Sequence, residues 1–138
     1  MTNEISQESF ETDWVVDQNQ TKQAYLKLKE RLENYPDVEI DFKPRPGISF
    51  SLRGKHRNQA NRPLFVMIDV IDDEPDSRWL SVCFFGEMIT DPEEKGDLVP
   101  GGLLGEDGYC FDLDQWDEEE FKYIEDRVKE AFQTAAGE

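Results

Sequence analysis

Two blocks of β-branched and aromatic residues, PLFVMIDVI at 63–71 and RWLSVCFFG at 78–86, stand six residues apart across the acidic stretch DDEPDS. Side chains of this kind pack best on a pleated, buried surface, and the polar residues between them have the composition of a hairpin bend. The chain is thereby committed to a sheet with these two strands at its centre.

The neighbouring segments extend it. DVEIDFKPRPGISFSLRG alternates through Val38, Ile40 and Phe42, then through Ile48, Phe50 and Leu52, on either side of a Pro-Arg-Pro-Gly turn. A period of two around such a turn predicts a second hairpin. GYCFDL, residues 108–113, adds a shorter fifth strand. Before the sheet, Ala24, Tyr25, Leu28 and Leu32 recur at helical spacing, with Asn19 as N-cap and Pro36 as stop. After it, Asp114 offers an N-cap, and Asp117 and Glu118 to Glu120 complement the dipole of a last helix. Phe121, Ile124, Val128, Phe132 and Ala135 form that helix's apolar stripe, with Glu118–Lys122 and Glu125–Lys129 as outward pairs. The class predicted is α+β: a five-stranded antiparallel meander sheet with N- and C-terminal helices packed on one face. Residues 1–12 carry Glu4, Glu8 and Glu11 without a cation and read as a flexible acidic tail, leaving 13–138 as one domain. Trp14, Val15 and Val16 are apolar enough to be expected to dock on its body.

Charge narrows the partners. Asp and Glu number 32 against 15 Lys and Arg, a formal net charge of −17. Such a chain repels nucleic acid and anionic lipid, so nucleic acid is disfavoured, and a protein partner or a homodimer is the expectation. No run of about 18 apolar residues could span a membrane, and the N-terminus lacks the basic and apolar regions of a signal peptide, so the expected location is cytoplasmic. Two cysteines, Cys83 and Cys110, no CxxC and a single histidine, His56, offer neither the usual zinc site nor a disulfide framework. Buried free thiols and no cofactor are the expectation.

Pleating assigns the working surface. With Ile40, Phe50, Val66, Ile68, Val82, Phe84 and Phe111 turned toward the helices, the intervening residues face the other way. Phe65, Met67, Trp79, Cys83 and Phe85, with Asp69 among them, then form a candidate binding surface whose apolar centre needs a cover, which points to a non-enzymatic protein-interaction or regulatory domain. A second cluster, Arg53, Lys55, His56, Arg57 and Arg62 together with Lys43 and Arg45, lies in a stretch without a single acid between Asp41 and Asp69. It would either contact an anion or neutralise acidic loops of the same chain.

The glycine-rich stretch 96–108 lacks the Lys and hydroxyl of a phosphate loop and precedes a strand, so its glycines are expected to make turns. Its leucines suggest a flap over one end of the second face. An alternative function follows: a small-ligand or enzyme site beneath that flap, with Cys83 or Asp69 at its floor. The runs Asp72, Asp73, Glu74, Asp76 and Asp91, Glu93, Glu94, Asp97 raise another alternative, an acidic metal-binding carrier, against the reading of solvated turns. His56 has no candidate nucleophile beside it, and Ser49 and Ser51 lack a nucleophile-elbow context, so no catalytic residue is assigned.

Pro36, Glu39, Phe50, Gly54 and Lys55 stand at a spacing that resembles YjbR-like proteins over about a fifth of the chain, a likeness that implies DNA binding. The helix, sheet, helix plan, Trp79 on a central strand and GYCFDL are similar to bacterial frataxin, which implies iron binding through acids on the first helix. That helix here carries Lys22, Lys27, Lys29 and Arg31 against Glu30 and Glu33, and no functional residue is carried over from either family.

Overall fold

A computed structural model describes residues 5–138. The elements in chain order are α1 (Gln7–Asp13), α2 (Lys22–Asn34), β1 (Val38–Arg45), β2 (Ser49–His56), β3 (Val66–Ile71), β4 (Trp79–Phe85), a 3-10 turn (Gly86–Met88), β5 (Asp97–Leu103), β6 (Glu106–Leu113) and α3 (Glu118–Ala136). The strands form one open antiparallel sheet in the order β1-β2-β3-β4-β6-β5. The chain is therefore α+β, but with six strands where five were expected, and the meander breaks at its end because β6 returns between β4 and β5.

The extra strand is the glycine-rich stretch. β5 pairs with β6 from Asp97 opposite Cys110 to Leu103 opposite Glu106, with a bulge between Val99 and Leu103. The two-residue turn Leu104-Gly105 has φ of +51° and +90°, the positive pair that joins twisted strands tightly. At the opposite edge, Pro46 and Gly47, the latter at φ +84°, turn β1 into β2, and the Ile48 amide donates to the Arg45 carbonyl at 2.9 Å.

Residues 7–12 of the expected tail form α1 together with Asp13; residues 1–4 lie outside the described residues. Ser6 caps α1 by accepting the Ser9 amide while Ser9 Oγ accepts the Ser6 amide, both at 3.1 Å. Its inward residue, Phe10, is buried and stacks on Phe50 with ring centroids 4.1 Å apart. Trp14 docks beside it, whereas Val15 and Val16 are in solvent, 79% and 50% exposed. α2 starts at Lys22: Asp17 accepts the amides of Thr21 and Lys22, and Asn19, the expected cap, instead donates from Nδ2 to the Ser77 carbonyl. α3 is capped by Asp117, which accepts the Glu120 amide, and not by Asp114. On its outer surface Lys122 pairs with Asp126 at 2.7 Å in place of the expected Glu118.

Aromatic side chains of α1 and α3 meet strand positions of one parity. Phe10 lies against Phe42 and Phe50, Phe132 against His56, and Tyr123 against Phe111. At Gly54 a Cβ would stand 3.4 Å from Leu32 of α2 and 3.2 Å from Phe65 and Val66, so a side chain there would press on the seam of the core. The buried apolar residues form one continuous cluster around these contacts.

Candidate functional site

The register lines up the positions of opposite parity into rows across the sheet. One row runs Lys43, Ser51, Asp69, Ser81, Asp112. The next runs Asp41, Arg53, Met67, Cys83, Cys110, Asp97. A third holds Arg45, Ser49, Ile71 and Trp79. Trp79, Ile71, Ser81 and Cys110 are half-buried, with no helical ring stacked on them.

Of the six residues expected on this surface, five keep their parity, and three of those are sealed or bonded. Asp69 and Trp79 are partly accessible, Met67 is 8% exposed, and Cys83 is joined to Cys110 by a disulfide. The free thiols expected from the sequence are thus corrected: the two cysteines are register partners on β4 and β6, with Cα atoms 4.1 Å apart. Side chains that share a face at that separation are close enough to bond. Phe65 is also corrected. It is fully buried against Phe132 of α3, its ring centroid 6.0 Å away, because it precedes β3 and its direction is not set by the pleat. Phe85 keeps its parity but is sealed at 1% exposure beneath the Arg62 guanidinium, 4.9 Å from its ring centroid.

The basic cluster separates in the same way. His56 is buried, packs edge-on to Phe132 and accepts the Asn58 amide at Nδ1 at 3.0 Å, so it belongs to the core. Arg57 pairs with Asp37, and Arg62 bridges Glu87 at 2.9 Å and Glu106 at 3.0 Å. Arg53 and Lys55 remain on the surface, joined by two residues outside the expected core of the patch, Lys43 and Arg45, on the adjoining strand. The acid-free interval from 42 to 68 was the signal for them.

Among the described residues, six of the 15 cations have no carboxylate within 4.0 Å: Lys22, Lys27, Arg45, Arg53, Lys55 and Lys129. In a chain with twice as many acids as bases that is unusual company, and three of the six are neighbours on β1 and β2. Arg45 and Arg53 instead donate to hydroxyls, Nη2 to Ser49 Oγ and Nε to Ser51 Oγ, each at 3.2 Å.

The electrostatics across the rows are uneven. Burial pushes the Asp69 carboxyl above the ordinary aspartate range, against the pull of the Ser51 hydroxyl and of Arg53 and Arg45, and its Oδ1 is buried without a hydrogen-bond partner. Burial, then the charges of Asp114 and Asp97, raise Asp112 as well, against the Ser81 hydroxyl.

The surface is not flat. At the end where β2 leaves for β3, Gln59 holds the 57–65 loop down: its Oε1 accepts the His56 amide at 2.9 Å and its Nε2 donates to the Leu64 carbonyl at 2.8 Å. Pro63 and Leu64 of that loop, Leu104 of the β5–β6 turn and Lys43, Arg53 and Lys55 line a cleft of about 720 Å³. The expected flap is therefore reduced to its tip. Leu98 and Val99 are edge-strand residues, 52% and 38% exposed, while Leu103 is buried and Leu104 overhangs the cleft. Neither Cys83 nor Asp69 is in its lining.

A larger hollow, about 1150 Å³, lies between α2 and α3, but three of the four cations in its lining are already paired, Arg31 with Glu125, Lys95 with Glu120 and Lys122 with Asp126, and Glu30, Glu93, Glu118 and Glu119 leave it acidic. The two acidic runs have structural partners too. Asp72 is buried, pairs with Arg78 at 2.7 Å and accepts the Gly47 amide, and Asp91 accepts the amides of Lys95 and Gly96. Among the described residues no three His, Cys, Asp or Glu side chains converge to hold a metal ion, and no helix is long and apolar enough to cross a membrane. No protein-family model, curated protein or solved structure matches the chain.

Proposed function

We propose that this chain is a binding domain that engages a protein partner through the sheet surface carrying Trp79. The reading rests on one observation: the helical contacts fall on one parity of the strands, and the other parity presents half-buried Trp79, Ile71 and Cys110 between a cationic side, β1–β2, and an acidic side, β6. That second parity joins an apolar centre to a polar rim, the anatomy of a recognition patch. Its tryptophan, in the row at the start of β4, is of the residue type that most often dominates such contacts.

The test compares the wild-type chain with Trp79→Ser, each immobilised and exposed to lysate of the source cells, with sedimentation of the purified proteins alongside. The expected result is a partner retained by the wild type and lost by the variant, while both melt cooperatively. A self-associated species lost in the variant would make that partner a second copy. Retention of the same proteins by both chains would remove the reading.

A further inference from the structure

We propose that the cleft between the β1–β2 surface and the β5–β6 turn binds a small monoanionic amphiphile, a carboxylate carried on an apolar body. This goes beyond partner binding at Trp79: the cleft shares the cationic β1–β2 side of that surface but includes neither Trp79, Ile71 nor Cys110. The cleft holds three cations, Lys43, Arg53 and Lys55, against two acids, Glu39 and Asp41. Asp41 is drawn to Lys43 at 3.7 Å, and no described carboxylate comes within 4.0 Å of Arg53 or Lys55, although Glu39 and Asp41 are their register partners. An excess of one positive charge suits a single carboxylate and is too small for the phosphates of a nucleotide.

The apolar half comes from Ile40, Pro63 and Leu104, with buried Leu64 behind them. Leu104 is the telling residue. It is 55% exposed and sits at φ +51°, a conformation that disfavours any residue with a Cβ and that turns of this kind normally give to Asn, Asp or Gly. A leucine held there loses backbone free energy and leaves its side chain in water, so the fold itself gains nothing from it. An apolar ligand in the cleft would bury that side chain, which explains both departures together.

Amide chemical shifts of the full chain titrated with sodium octanoate test this, with acetate as head group alone and 1-octanol as body alone. The expected result is saturable octanoate binding with the largest shifts at Arg53, Lys55, Leu64 and Leu104, and weaker binding of both controls. Lys55→Met keeps the aliphatic stem and removes the charge; Leu104→Asn removes the apolar contact and relieves the backbone. Each is expected to weaken octanoate by about tenfold or more while the spectrum stays dispersed. Absence of saturable octanoate binding, acetate or octanol binding as tightly as octanoate, or indifference to both substitutions would each overturn the proposal. None of these outcomes touches the Trp79 surface, whose test has its own readout.

Discussion

Arg78 shows how much one side chain can organise. It pairs with Asp72 at 2.7 Å, with 12% and 5% of the two side chains exposed, and its guanidinium lies 5.3 to 5.5 Å from the ring centroids of Phe10, Trp14 and Phe50. Asp72 in turn accepts the amide of Gly47 at 2.8 Å, so one ion pair ties the β1–β2 turn, the β3–β4 turn and α1 together. Arg78→Ala leaves a buried carboxylate without its cation and three rings without their polar cover. The expected loss is about 3 kcal/mol in a urea titration, since breaking a buried pair costs far more than an exposed one. A change below about 0.5 kcal/mol would show the pair to behave as a surface contact. None of this was legible in DDEPDS, where Asp72 looks like its solvated neighbours. Pleating correctly placed Met67, Asp69, Trp79 and Cys83, because period two is a property of the backbone. It failed for Phe65, one residue before the strand begins; His56, on the parity of Phe50 and Leu52, was misplaced by charge alone, its cation-rich surroundings concealing a core position.

At the scale of elements, the strands with alternating apolar residues and the two longer helices could be read from the chain, and the two elements that could not share a cause. α1 buries a single large residue, Phe10, and β5 holds Pro100, Gly101 and Gly102, with one buried side chain, Leu103. Neither has an apolar period, so what forms them is local capping in one case and pairing with β6 in the other. The disulfide was missed for a different reason: the expected meander already set GYCFDL beside RWLSVCFFG, and what the sequence does not carry is the register that makes Cys83 and Cys110 direct partners across a 27-residue separation. Closing a loop of that length stabilises by about 3 to 4 kcal/mol in the chain-entropy account. Reduction by a dithiol, or Cys83→Ala with Cys110→Ala, is therefore expected to lower the unfolding free energy from a urea titration by most of that amount. Thiol titration of the unfolded, unreduced chain is expected to find no free thiol; two reactive thiols per chain would show the bond to be absent.

Over the whole molecule, acid and salt separate two electrostatic effects that both disfavour the native state near neutrality. The first is self-repulsion, since the chain carries a net charge of −17. The second is local: Asp69 and Asp112 are raised above the ordinary aspartate value, chiefly by burial. A carboxyl with a raised native pKa takes up protons in the folded state before the unfolded state does, so stability grows as pH falls through the native value. That gain is complete near the unfolded value of about 3.9. Asp91 works in the opposite sense. Burial pushes it up, but the Tyr123 hydroxyl, the Gly96 and Lys95 amides and Arg127 hold it below the ordinary range. Its contribution is present above the unfolded value and is lost only as pH falls through its lowered native one. Melting temperature is thus expected to rise from about pH 7.5 to about pH 5, then to fall in stronger acid. Salt discriminates between the causes, because at about 0.5 M it screens repulsion among exposed charges but scarcely alters the desolvation of Asp69. The slope that survives in high salt should be largely abolished by Asp69→Asn with Asp112→Asn. A surviving slope unchanged in that double variant would assign the acid stabilisation to other groups, and a melting temperature that falls steadily from neutrality would show that the carboxylates held by hydrogen bonds, not the buried ones, govern this molecule's response to pH.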